Sequence, residues 1–449
     1  MSMSWLWDPH AVAKFQRFCG KERIPIEVAT GNGKSVQVAG TDTRNGSASA
    51  SGHGLRRSTR HGDSSTSTEN DASTIRSNGH ANASNGHSVD VQSNGNGRNG
   101  TVSPSANCSH TADDATQQDT QQPKTKIIHK YPVVKAIFHM ASMVGEEEFF
   151  IAFLPIMFWN FDFFVGRRVV LLWFFTMYLG TALKDKIQWE RPDPAIVLRE
   201  ANDEHCQEFG MPSTHTTSGA ILAWGLIYVS YFRYEFSLLP ATLVVLPMVL
   251  CMGISRVYSG HHTPLDVLGA FSLVACIMLA GSVLLEPLDS LYMTPSLIGP
   301  ISALVTGYLG ILLYPHPAVI RSSSKDMPTI IAVFLGFYIG LWMSVGTLNP
   351  LDNRHLEPFQ LPSPDRHEIV AGLLRYIAGV FLLLVVRMVL KSSSIKFFSK
   401  YADPTQGPAK EQLPVVIRYR LVTYGGTCMA CTALGPLWFR LLGIPTQEP

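Results

Sequence analysis

The chain has 449 residues, 46% of them hydrophobic and only 16% charged, a charge content low for a soluble protein. The formal net charge is +2, with acidic and basic residues interleaved, which excludes a nucleic-acid-binding surface built on charge. Seven cysteines are present; Cys251, Cys276, Cys428 and Cys431 lie in or beside apolar runs, where cysteine acts as a small hydrophobe and not as part of a disulfide scaffold.

Residues 1–30 form a short amphipathic N-terminal segment without the continuous apolar core of a cleavable signal. A helix is expected there, with Asp8 as its cap, Pro9 in its first position and Val12, Phe15 and Cys19 on one face. Such a helix suits a membrane surface or the body of the protein equally well. Residues 31–123 are rich in Ser, Asn, Gly, Thr and His and contain no Phe, Trp or Tyr, so they are predicted to be a disordered polar tail. Four glycosylation sequons begin there, at Asn45, Asn82, Asn99 and Asn107.

From about residue 145 the chain is dominated by apolar runs. A span needs about 20 mostly apolar residues to cross a bilayer core about 30 Å thick. Nine runs qualify, at 145–162, 167–184, 216–232, 237–254, 264–285, 296–314, 328–346, 368–390 and 420–441. The breaks between them carry Pro, Gly or charge, as at Arg167-Arg168 and Glu286-Pro287. Arg387 lies inside the eighth run, where it can snorkel or pair within the bundle. The predicted fold class is all-α: a polytopic membrane helix bundle of about nine spans with a disordered N-terminal tail. Residues 124–290 form its core and 291–449 supply additional transmembrane helices.

Three polar blocks interrupt this hydrophobic chain. They run from Lys184 to Arg191-Pro192, from Pro212 to His215, and from Ser255-Arg256 through His262 to Asp266. The first ends the second span and the next begins the third. The third and fourth spans form a hairpin, which returns the last block to the same face. All three therefore end on one side of the membrane.

Their chemistry is that of phosphoryl transfer, which depends on positioning and on stabilising charge on the equatorial oxygens. Lys184, Arg191 and Arg256 supply fixed positive charge, and arginine can hold phosphate in a fork. Ser213 and Thr214 open a helix whose free N–H groups favour an anion. His215 then lies at the mouth of the site, positioned to protonate a leaving alkoxide. His262 precedes a helix starting near Thr263-Pro264, and Asp266 follows four residues later. A carboxylate at that spacing can accept a hydrogen bond from one ring nitrogen and leave the other free to attack phosphorus. His261 is an adjacent competitor, and Asp266 could instead serve the helix start. Lys186 and Arg199 are read as interfacial. With many cations and few acids in the blocks, no metal and no other cofactor is expected.

The pattern Lys, six residues, Arg-Pro; Pro-Ser-any-His; Ser-Arg, five residues, His, three residues, Asp resembles that of the type 2 phosphatidic acid phosphatase superfamily. Every position is matched here. Thr214, the stretch Phe209-Gly-Met-Pro-Ser-Thr-His215, and Asp8-Pro9 with Ala13–Arg17 resemble its sphingoid-specific branch. The resemblance implies hydrolysis of sphingosine-1-phosphate and related long-chain base phosphates, with His262 as nucleophile, Asp266 as its partner and His215 as acid, then base. Lys184, Arg191, Ser213, Thr214 and Arg256 would bind the phosphate. It also implies an endoplasmic reticulum membrane, a membrane lipid as substrate and a lumenal site. The lysines at 124, 126, 130 and 135, together with Lys391, Lys396 and Lys400, would make the same face cytosolic by the positive-inside rule. Competing readings are a phosphatase for phosphatidate or for a sugar phosphate, similar to glucose-6-phosphatase, and a transporter or scramblase that keeps an anion site. The pairing of His262 with Asp266 argues against the last, because transport needs no oriented nucleophile.

Overall fold

In the computed structural model, residues 3–25, 125–199, 208–315, 322–348, 359–360, 365–403 and 412–445 are described, with positions 408 and 410. The expected tail at 31–123 and its sequons lie outside these residues.

Helix α1 (Pro9–Phe18) is capped as the sequence predicts, with the Asp8 carboxylate accepting the His10 N–H at 2.9 Å. It packs on the body: Val12 is buried against Val197, Val257 and Val267. Strand β1 (Lys21–Pro25) then pairs antiparallel with β2 (Thr125–His129), placing Pro25 opposite Thr125. Helix α2 (Pro132–Met143) packs against the sixth helix and leaves Val133, Ile137 and Met140 exposed along one face.

The remaining chain is a helical bundle. Helix α3 (Glu147–Ile156) passes through a π-helical turn at Met157–Phe161 into α4 (Phe163–Ile187). There follow α5 (Thr214–Tyr231), α6 (Leu238–Ser259), α7 (Pro264–Tyr292), α8 (Ile298–Leu313), α9 (Ser322–Leu348) and α10 (Arg366–Phe398). Helix α11 (Leu413–Met429) runs through a second π-helical turn, Ala430–Leu434, into α12 (Gly435–Leu441). A two-residue strand β3 (Tyr234–Glu235) pairs in parallel with β4 (Phe359–Gln360).

Each of the nine apolar runs falls on helix. Among the described residues, α4, α6, α7, α9 and α10 are long and apolar enough to cross a membrane by length and composition. Two shorter apolar helices cover Phe149–Phe161 and Ile298–Leu313. Most of α4 and α9 is buried, whereas α6, α7 and α10 present apolar faces outward. The α4–α9 contact forms the centre of the core, where Phe174 stacks on Phe334 with ring centroids 4.1 Å apart.

The sequence reading treated Arg167-Arg168 as a break between spans. Instead α4 begins at Phe163, its first turn capped by the Asp162 carboxylate, and both arginines are buried inside the helix. Their Nε atoms lie 3.0 and 3.1 Å from Asp289 Oδ2 on α7. Cys428 and Cys431 are free thiols. Cys431 packs in a small cluster with Trp159 and Phe439, as expected for cysteine used as a hydrophobe. Arg387 stays within the bundle, 5.8 Å from the Tyr424 ring centroid.

Candidate active site

The three polar blocks meet at one end of the bundle, as the span parity requires. Lys184 lies in the last turn of α4, Thr214 and His215 in the first turn of α5, Arg256 in the last turn of α6 and Asp266 in the first turn of α7. Short bonds stitch the blocks together. The Ser213 N–H donates to Asp266 O at 3.2 Å and Gly210 N–H to Trp189 O at 2.6 Å. Lys184 Nζ donates to Thr214 Oγ1 at 3.1 Å.

Gly260 ends α6 with a left-handed φ of 86°, and a Cβ there would stand 2.8 Å from Gln16 Nε2. This close approach admits a clamp that sequence reasoning missed. Buried Gln16 donates to Leu198 O and Tyr258 O at 3.0 and 2.9 Å and accepts the Leu198 N–H at 2.8 Å. Arg199, expected at the interface, instead joins two blocks by donating to Gly260 O at 2.8 Å and to Pro192 O. Lys186 is exposed, in line with its interfacial reading.

His262 and Asp266 are both fully buried, with Nδ1 and Oδ2 3.6 Å apart. That is an ion-pair distance and not the hydrogen bond expected from the spacing. The reason is local: Asp266 Oδ2 accepts the Thr263 N–H at 2.7 Å, half of a reciprocal capping box with the Thr263 hydroxyl. The helix-start role and the histidine-facing role therefore fall on one carboxylate. Among the described residues, neither ring nitrogen of His262, nor Asp266 Oδ1, nor Arg191 Nη1 has a hydrogen-bond partner. Burial, with the charges of Arg191, Arg256 and Lys184, holds the His262 pKa well below the ordinary histidine value. Its imidazole is thus neutral at neutral pH, the form a nucleophile needs. His261 is less buried, and its Nδ1 lies 2.6 Å from Ser259 Oγ.

Two carboxylates join the site from outside the blocks. Glu208, 3% exposed, is held by Lys184 Nζ at 3.1 Å and Arg191 Nη2 at 2.9 Å, and its carbonyl accepts Arg191 Nε at 3.1 Å. Glu146 Oε2 lies 3.2 Å from His215 Nε2, and its other oxygen 3.9 Å from Arg256 Nη1. Arg256 also donates to Ser142 Oγ at 2.8 Å. Ser213 is fully buried with its hydroxyl 3.1 Å from Thr216 Oγ1. The blocks supply Asp266 alone as an acid at the histidines; the folded site adds Glu208 and Glu146. Even so, among the described residues no three His, Cys, Asp or Glu side chains group as metal ligands. A phosphate entering this site would compete with Glu208 and Glu146 for the same cations.

A cavity of about 300 Å³ opens beside Glu146 and Arg256, lined also by Phe138, Ser142, Tyr258 and His261.

The chain is similar to known phosphatases. The chain is 28% identical over 319 residues to sphingosine-1-phosphate phosphatase 2 of Homo sapiens, covering 69% of this chain and 78% of that protein. It is 28% identical over 444 residues to sphingosine-1-phosphate phosphatase 1 of Rattus norvegicus, covering 98% and 97%. A dihydrosphingosine 1-phosphate phosphatase of Schizosaccharomyces pombe is 22% identical over 279 residues, covering 60% of this chain and 65% of that one. No solved structure matches the chain. Residues 165–287, which carry all three polar blocks, match the PAP2 superfamily, and the chain therefore contains a PAP2 superfamily domain.

Proposed function

We propose that this protein is a lipid phosphate monoesterase that hydrolyses sphingosine-1-phosphate and related long-chain base phosphates to the free base and inorganic phosphate. One observation carries the chemistry: the His262 imidazole is fully buried beside the charges of Arg191, Arg256 and Lys184, an environment that favours its neutral form. A proton on Nδ1, facing Asp266, leaves the Nε2 lone pair to attack phosphorus. The phosphorus–nitrogen bond forms as the bond to the lipid oxygen breaks, and His215 gives that oxygen its proton. Water, deprotonated by His215, then cleaves the phosphohistidine and releases phosphate. Lys184, Arg191, Arg256, Ser213 and the amides at the start of α5 hold the phosphoryl oxygens throughout. The names of the relatives support the sphingoid substrate class.

The cation-rich site supports metal-free chemistry, so activity is expected to survive EDTA. The nine helical stretches are read as nine spans, with the enzyme in the endoplasmic reticulum membrane and its substrate delivered from the bilayer. Residues 124–290 are the phosphatase core, with 291–449 as added transmembrane helices around it. The test is to assay purified protein on sphingosine-1-phosphate, phosphatidate and glucose-6-phosphate, and to trap the phosphoenzyme. Preference for the first, with the label on His262, is the expected result. Preference for either other substrate overturns the substrate assignment, and a labelled residue other than His262 overturns the mechanism.

A further inference from the structure

Glu146 stands beside the groups that would handle the leaving oxygen. It occupies the N-cap position of α3 but makes no side-chain capping bond to that helix. Its carboxylate turns instead to His215 Nε2 at 3.2 Å and lies 3.9 Å from Arg256 Nη1. Gly145 permits this approach, because a Cβ there would stand 2.8 Å from His215 O and 2.9 Å from His215 Cβ. A carboxylate repels a phosphate dianion, so Glu146 by itself opposes phosphate at the mouth of the site.

The chemistry of a sphingoid base phosphate supplies a use for it. Its phosphate oxygen is followed by one methylene and then by a carbon bearing an ammonium. When the phosphate engages Arg256 and the leaving oxygen engages His215 Nε2, the carboxylate gives up both contacts. It remains next to that oxygen, where the ammonium arrives. The adjoining cavity of about 300 Å³ gives the headgroup room. Its lining includes the cations Lys21, Lys135 and Arg256, and Glu146 is the one carboxylate among the described lining residues, so an ammonium there has Glu146 alone as countercharge. Glycerol-based lipid phosphates carry an ester or a hydroxyl at the same position and offer no cation.

We propose that Glu146 selects sphingoid over glycerol-based phosphates by pairing with the ammonium next to the phosphate-bearing carbon. The proposal rests on the lipid-phosphatase reading above. Glu146 is a specificity residue here and is given no step in phosphoryl transfer.

The experiment is a cycle between enzyme and substrate. kcat/KM is measured for sphingosine-1-phosphate and its N-acetyl derivative, with the full-length wild type and with Glu146→Gln. Acetylation removes the charge, and is expected to cost the wild type about tenfold or more and the variant less than about threefold. An equal cost in both enzymes overturns the proposal and assigns Glu146 to the orientation of His215. If Glu146→Gln is inactive on both lipids, the wild type alone decides, by inhibition of p-nitrophenyl phosphate hydrolysis. Phosphoethanolamine, with the same phosphate-to-ammonium spacing, should inhibit several-fold more strongly than ethyl phosphate; equal potency overturns the contact. A wild type that hydrolyses neither lipid removes the functional reading, and the inhibitor pair still decides for or against Glu146.

Discussion

The two ends of α4 carry the same electrostatic unit, two buried cations on one buried carboxylate. At one end Arg167 and Arg168 hold Asp289, with their Nε atoms 3.0 and 3.1 Å from Oδ2. At the other, Lys184 and Arg191 hold Glu208 at 3.1 and 2.9 Å. What differs is what surrounds each unit. The Asp289 end is fully paired: Tyr338 OH donates to Asp289 Oδ1 at 3.3 Å, both guanidiniums lie over the Phe164 ring, and Arg168 Nη2 also lies 3.7 Å from the exposed Glu286. Among the described residues, none of its buried side-chain polar atoms lacks a partner. The Glu208 end adjoins His262, Asp266 and Arg191, each of which has at least one buried polar atom unpaired. A buried ion cluster is thus no sign of a site by itself; unsatisfied neighbours beside it are.

This contrast can be broken or sharpened by substitution. The largest effect is expected at the Glu208 end: His262→Ala should lower turnover by about 10⁵-fold or more, as removal of a catalytic nucleophile does. The protein should remain folded, because the imidazole satisfies no hydrogen bond. Near-wild-type turnover would refute the nucleophile. At the Asp289 end the pattern reverses. Asp289→Asn leaves two buried guanidiniums without their countercharge and should cost about 3–5 kcal/mol of stability. Thermal unfolding in detergent is the readout, and turnover per folded molecule should be little changed.

Asp266→Asn should fall between these, with up to about a 10⁴-fold loss in kcat through weaker control of the His262 tautomer. It should also lose about 1 kcal/mol from the start of α7. A loss of stability without a loss of kcat would mean that the carboxylate serves only the helix.

His262 also sets a pH dependence. Its folded pKa is depressed, so below about pH 6.5 the unfolded chain binds a proton that the folded chain refuses. This contribution to stability is present above that pH and is lost as the pH falls toward the folded pKa. His262→Gln should flatten the stability profile across that window, as read by denaturation at stepped pH. The smallest change is expected from Glu208→Gln. Removing the carboxylate that competes for Lys184 and Arg191 should tighten inhibition by orthophosphate about tenfold. Weaker inhibition would show that Glu208 organises the cations instead of competing for them.

The helices and the three blocks were legible in the sequence because their information is local. Apolar runs declare helices, and Lys184, Arg191, Ser213, His215, Arg256, His262 and Asp266 sit at short, regular spacings beside them. Span parity then brought the blocks to one face. Glu208 and Glu146 were not legible, because nothing in their own neighbourhood marks an acid that pairs with a cation from another segment. Gln16 was hidden for the same reason: Leu198 lies 182 residues away in the chain and Tyr258 242 away. The long Asp266–His262 distance was missed because i to i+4 spacing gives proximity but not which donor wins the carboxylate. A backbone N–H three residues back is closer to hand than the ring.

The pairing of β1 with β2 has a consequence for how this chain tolerates change. Pro25 and Thr125 face each other across the ladder, and Lys21 faces His129, so the chain departs and returns through a single doorway. Gln16, which bonds Leu198 and Tyr258, precedes this ladder in the chain. Whatever length of chain is spliced between those two strands, the threshold stays shut: each doubling of a flexible loop adds only about 0.6 kcal/mol of closure entropy. Replacing residues 26–124 with a four-residue Asn-Gly turn should therefore leave the candidate site assembled. The doorway is where evolution or an engineer can attach cargo to this enzyme without disturbing the site.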